Sequence, residues 1–203
     1  MPTAVESEIK VNIGCGLSGI SGWVNIDNSP TLLLRRVPVL RRMMKTPDWP
    51  ADVRRYDVIR RRLPFSDGTV QFIYSSHTFE HFTYDASQKV ARECFRVLQP
   101  GGVLRIAVPD LAKLVADYLR DPSALASHTF ISRLLLHASV YDLLRAGAHH
   151  QQMFDARSLC HMLREASFSA PERRRFRDSR IPEINALELE ERRGESLYVE
   201  CVR

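Results

Sequence analysis

VQFIYSSHTFEHFTYDASQKVARECFRVLQPGGVLRIAVPDL, residues 70–111, carries the reading on which the fold turns. Val70–Ser75 is dense in β-branched and aromatic side chains, which marks a buried strand. In Ala86–Leu98 the period changes, and Val90, Cys94 and Val97–Leu98 recur on one face of a helix. Gln99-Pro100-Gly101-Gly102 ends that helix, because proline cannot continue it and glycine turns the chain. Val103–Val108 is a strand again, and Asp110 stands where an N-cap is expected for a helix reaching Leu119. Strand, helix and strand in succession is the unit from which parallel sheets are built.

Outward from this stretch the alternation continues. Lys10–Ile13 and Trp23–Ile26, the latter ending at Asp27, read as strands, and Val53–Tyr56 as a weaker one. Residues 122–147 have an interrupted helical pattern. Asp155–Ala166 is an amphipathic helix with Asp155 as cap and Leu159, Met162, Leu163 and Ala166 facing inward. Arg175–Arg177 and Leu197–Val202 read as closing strands. The expected fold class is therefore α/β: a mostly parallel twisted sheet with an antiparallel C-terminal edge strand and helices on both faces. A chain of 203 residues fits a single domain spanning 1–203. Residues 31–50, basic and apolar by turns, and the helical 120–150 are expected as insertions that act as a lid or meet substrate.

With 44% hydrophobic and 26% charged residues the composition excludes wholesale disorder. No apolar run approaches the ~20 residues of a membrane span, and MPTAVESEIK lacks the pattern of a signal peptide. The four cysteines, at 15, 94, 160 and 201, form no CxxC pair, so reduced thiols and a cytoplasmic location are expected. The net charge of +5 is almost entirely arginine, grouped at Arg35–Arg42, Arg54–Arg62 and Arg173–Arg180. Such clusters suit phosphate, lipid or an acidic glycan, or are simply solvated faces. The segment 31–45 is a candidate for peripheral membrane contact or, equally, an amphipathic helix packed on the core.

Gly14, Gly16 and Gly19 in NIGCGLSG match G-x-G-x-x-G, by itself a weak signal. A dinucleotide site also needs a helix after the loop to hold pyrophosphate, and an acid about 20 residues on. Only six residues separate Gly16 from Trp23, two of them glycines, and Asp27 follows Gly16 by 11. A loop without a helix suits a ligand without phosphates, with Asp27 placed to accept from two ribose hydroxyls.

Four segments carry a resemblance: VNIGCG with GWVNID, YDVIRRRLPFSDGTVQFIYSSHTFEHF, ECFRVLQPGGVLRIAVPDL and HQQMFDARSLCHMLREASF. Together they resemble class I methyltransferases dependent on S-adenosylmethionine (SAM). The likeness is greatest to the small type 11-like enzymes often linked to polysaccharide and sugar pathways. The resemblance implies SAM as cofactor and a Rossmann-like fold. It implies Gly14, Cys15 and Gly16 along the methionine part, Asp27 on the ribose, Asp57 and Val58 at the adenine, and Ser75 and Ser76 closing the site. Asn12 stands where many relatives carry an acid, and joins the cofactor set as a neutral contact.

Methyl transfer from a sulfonium needs alignment above all, and a base helps a hydroxyl acceptor. His77, which the resemblance places facing the methyl, His150 and Asp110 are the catalytic candidates. The expected reaction is in-line transfer to an oxygen of a small molecule or glycan. His77-Thr78-Phe79-Glu80-His81 also reads H-x-x-E-H, the inverted zinc-protease motif, which requires an α-helix; this is one alternative, although no metal ligand is assigned. A nucleic-acid methyltransferase is another, but Ser75-Ser76-His77-Thr78 lacks the Asn/Asp-Pro-Pro-aromatic run of base-amine enzymes, so no nucleic-acid partner is expected.

Overall fold

The computed structural model describes residues 8–34, 49–50, 52–121 and 150–203. The expected interrupted helices of 122–147, and nearly all of both insertions, lie outside the described residues. The strands are β1 (Ile9–Ile13), β2 (Val24–Asp27), β3 (Arg54–Arg55), β4 (Val70–Ser76), β5 (Leu98–Pro109), β6 (Ser169–Arg174) and β7 (Ser196–Val202). They form one sheet in the order β3-β2-β1-β4-β5-β7-β6. All pairings from β3 to β5 are parallel, and β7 runs antiparallel between β5 and β6.

The triplet Val-Asn-Ile occurs in both β1 and β2, and the copies pair in register: Val11 with Val24, Asn12 with Asn25, Ile13 with Ile26. That register sets Gly14 and Asp27 side by side at the C-terminal ends of their strands, the side on which open α/β sheets bind ligands.

Helices α2 (Tyr84–Val97) and α4 (Ala156–Glu165) pack on one face through Val90, Ala91, Cys94, Leu159, Met162 and Leu163. Thr83 caps α2, and a reciprocal Asp155–Ser158 capping box starts α4, each such cap being worth about 1 kcal/mol. The other face is covered by Ile181 and by α5 (Ile184–Leu187), which lie on Trp23, Phe72, Tyr74 and Val103. The remaining helices are α1 (Thr31–Leu34) and α3 (Leu111–Arg120). Among the described residues no helix is long and apolar enough to cross a membrane.

One expected strand is displaced. β6 spans Ser169–Arg174, not Arg175–Arg177, and Arg177 lies at φ +60°, outside the extended region. The cause lies in β5. Arg105 is fully buried on the α5 face, and its guanidinium donates to the carbonyls of Arg175 (2.9 Å) and Asp178 (2.7 Å). Residues 175–178 are thus held as a loop around a buried cation, which a reading of β-propensity does not reveal.

Candidate functional site

The C-terminal ends of β1, β2 and β4 converge on the glycine loop. Residues 16–22 form turns and no helix. Gly14 and Cys15 donate their amides to the Ile26 carbonyl (2.8 and 3.2 Å). Gly14 is at φ +66°, and a Cβ there would lie 2.0 Å from Thr78 Oγ1. Gly16 is at φ +52° and faces open space, with no atom within 4 Å of where its Cβ would stand. The first glycine thus makes room for Thr78, and the second leaves a vacant wall at the mouth. Gly14→Ala is expected to lower stability by more than about 1–2 kcal/mol, read by urea denaturation. Adding Thr78→Gly should recover the steric part but not the part due to φ.

Beneath the loop lies a polar network. The fully buried Asn25 accepts from the Ile20 amide (3.2 Å) and donates to the carbonyls of Ile20 (2.9 Å) and Trp23 (3.2 Å) and to Asp52 Oδ2 (2.8 Å). Asn12, also buried, donates toward Asn25 Oδ1 and the Ser18 carbonyl at 3.4 Å each. Asn12 therefore supports the loop from below. Cys15 is buried, and burial first, then the charges of Asp27 and Asp52, push its thiol up to about 12, so it stays neutral and is no nucleophile.

Asp27 Oδ2 accepts from the Gly16 amide (2.9 Å) and Oδ1 from Ser29 (2.7 Å). Each oxygen keeps a further lone pair. Asp57 follows β3, and its Oδ1 accepts from the amides of Ile59 (3.1 Å) and Arg60 (3.0 Å), closing a turn. Val58 packs partly buried against the main core.

At the end of β4, Ser75 is buried and donates to the Ile13 carbonyl (3.0 Å), tying β4 to the start of the loop. Thr78 Oγ1 lies 3.0 Å from the Ser76 carbonyl and 3.4 Å from that of Gly14, roofing the loop. His77 is held at φ +48°, a strained conformation for a residue with a Cβ. Its Nε2 meets Ser196 Oγ at 2.8 Å and its Nδ1 stands 3.3 Å from Glu80 Oε1.

His150 is carried close to the same Glu80, where its ring meets that of His81 edge-on at 5.1 Å. Asp110 stays apart: Oδ1 caps α3 through the Lys113 amide (3.2 Å) and Oδ2 accepts from Arg173 (2.9 Å). The H-x-x-E-H stretch forms no α-helix, only a 3₁₀ turn at Phe79–His81 with His77 outside it, so the geometry of the protease motif is not made.

The donor set fits an adenosyl sulfonium. It offers a carboxylate with free lone pairs beside an open glycine wall, and no helix follows β1 whose amides would take pyrophosphate. Asn25, Asp52, Thr78 and Glu80 complete this region, and sequence reasoning assigned none of the first three. The paired Val-Asn-Ile triplets were the available signal for Asn25, since a polar residue at matched positions of two buried strands requires a partner.

Residues 11–106 match the type 11 family described as a methyltransferase domain. No curated protein matches the chain. Among solved structures, a SAM-dependent methyltransferase from Archaeoglobus fulgidus superposes with a TM-score of 0.57 at 13% identity, covering 97% of this chain and 86% of the other. A chain from the complex of Trm112, a methyltransferase activator of Haloferax volcanii, gives 0.54 at 16%, covering 98% and 83%. PigF, solved with S-adenosylhomocysteine (SAH), gives 0.53 at 14%, covering 97% and 56%. At such identities these structures speak for the fold, and the family match, which spans the glycine loop, Asp27 and the end of β4, speaks for the chemistry. Residues 11–106 thus carry a match to a methyltransferase domain, set in the fold of SAM-dependent methyltransferases, and S-adenosylmethionine is the cofactor they indicate.

Proposed function

We propose that the enzyme methylates a hydroxyl of a small molecule or glycan, with His77 as the base that takes the hydroxyl proton. The observation that carries this reading is the His77–Glu80 pair at the C-terminal end of β4. The Glu80 carboxylate 3.3 Å from Nδ1, close in charge but not hydrogen-bonded to it, favours a proton on that nitrogen and leaves Nε2, now 2.8 Å from Ser196 Oγ, as the acceptor of a proton. SAM supplies a methyl group already activated on sulfur. The chain's task is to align it, with Asp27 on the ribose, Gly14, Cys15 and Gly16 along the methionine part, Asp57 and Val58 at the adenine, and Ser75 and Ser76 as the inner wall. Asn12 acts through the network under the loop. Exposed Arg54, Arg55 and Arg61 near Asp57 suit an acceptor bearing phosphate or carboxylate. Four free, buried cysteines suit a reducing compartment such as the cytoplasm.

His77→Ala should lower kcat by about 10²–10⁴-fold while leaving the Kd for SAM unchanged, measured with labelled methyl transfer to a panel of sugars and hydroxylated small molecules. Label recovered on nitrogen, or full turnover by the variant, would contradict this assignment.

A further inference from the structure

We infer that Glu80, His81 and His150 form a binding site for a divalent transition metal of the zinc class, set beside His77 at the end of β4. Glu80 is fully buried, and neither of its carboxylate oxygens accepts a hydrogen bond from the described residues; His77 Nδ1 stands 3.3 Å from Oε1. A carboxylate withdrawn from water without donors is costly, and a bound cation removes that cost. One nitrogen of His81, one of His150 and an oxygen of Glu80 lie within 4.8 Å of one another. Ligands of a tetrahedral zinc at 2.0–2.2 Å from the metal stand about 3.4 Å apart, so small side-chain rotations close the set.

The site is built by the backbone as well. Residues 79–81 and 150–152 are far apart in sequence, yet four hydrogen bonds clamp them. The amides of Gln151 and Gln152 donate to the Glu80 carbonyl (2.7 and 3.3 Å). Gln151 Nε2 donates to the His81 carbonyl (3.0 Å) and Gln152 Nε2 to that of Phe79 (3.2 Å). The bridge of Phe154 to Asp110 anchors the same segment to the end of β5. His150 is thereby fixed over the Glu80–His81 turn in advance of any ligand. Two imidazoles and one carboxylate select zinc-like ions over magnesium, which prefers oxygen and water. Three protein ligands leave a fourth position open. This set differs from H-x-x-E-H, because His77 is not a ligand; it contacts Glu80 from outside, as outer partners of metal ligands do.

If the methyl acceptor is a hydroxyl, as proposed above, its oxygen can take the open position, where a metal lowers the pKa of a bound oxygen acid. That role rests on the methyltransferase reading, whereas metal binding does not. The test is titration of chelator-stripped, full-length protein with Co²⁺ and Zn²⁺, followed by the visible spectrum of Co²⁺ and by calorimetry, with SAM affinity measured separately. The wild type is expected to take one ion per chain with a low-symmetry Co²⁺ spectrum. Glu80→Gln and His150→Ala should each weaken binding by at least about 100-fold, and His77→Ala, as an outer partner, by about 10-fold. His161→Ala, an exposed histidine on α4, should change nothing. Retained SAM affinity in Glu80→Gln reports an intact fold; should that variant unfold, His150→Ala carries the test. Failure of the wild type to bind one equivalent, or equal affinity in Glu80→Gln and His150→Ala, overturns the site while leaving the cofactor assignment to its own measurement.

Discussion

Asp27→Ala is expected to weaken SAM binding at least about 100-fold, or about 2.7 kcal/mol. One carboxylate accepting from two neighbouring hydroxyls makes charge-assisted bonds, each worth about 1.5–3 kcal/mol. The same side chain fixes the amides of Gly16 and Ser29, so its removal also loosens the wall against which the ligand lies. Asp27→Asn keeps the volume and one acceptor, and should lose about 10-fold. Calorimetry with SAM and SAH measures both variants; wild-type affinity in Asp27→Ala would place the ribose elsewhere.

Arg105→Met is expected to destabilise the fold by about 3–5 kcal/mol. Arg105 and Glu188 are fully buried, with Nε and NH2 at 2.8 and 2.7 Å from Oε1, and Glu200 Oε2 lies 3.6 Å from NH1. Truncating the cation leaves two carboxylates and two carbonyls buried without it. Burial pushes the Glu188 carboxyl above its ordinary value, against the pull of Arg105. A group raised in the folded state favours folding most below its unfolded pKa, and that contribution is lost as pH rises through the folded value. Without Arg105 the rise is larger, so the deficit of the variant should be greatest near neutral pH and shrink as pH falls toward the carboxyl range. Urea denaturation of variant and wild type across that range measures it. A deficit that grows on acidification would mean that Glu188 is not the group left unpaired.

How legible each feature was depends on whether its cause is local. The strands of β1, β2, β4 and β5 and the caps at Asp110 and Asp155 follow from neighbours in sequence, and the structure has them within a few residues of where the pattern puts them. Asp110 stands at the same edge of the sheet, where it caps α3 and pairs with Arg173. The burial of Arg105 leaves no local sign within Val103–Val108, because its partner Glu188 lies 83 positions away. The displacement of β6 follows from the same long-range contact. Thr78 is invisible as the roof over Gly14 for this reason too, and so is the clamp that sets His150 on Glu80, since nothing in HHQQ reveals which turn its amides will meet.

The most direct measurement is a crystal structure of the enzyme with SAH. The ribose hydroxyls should lie about 2.5–2.9 Å from the Asp27 carboxylate, with the homocysteine chain along Gly14–Gly16 and the sulfur toward His77. A ribose that makes no contact with Asp27, or a ligand seated away from the ends of β1 and β2, would contradict the account.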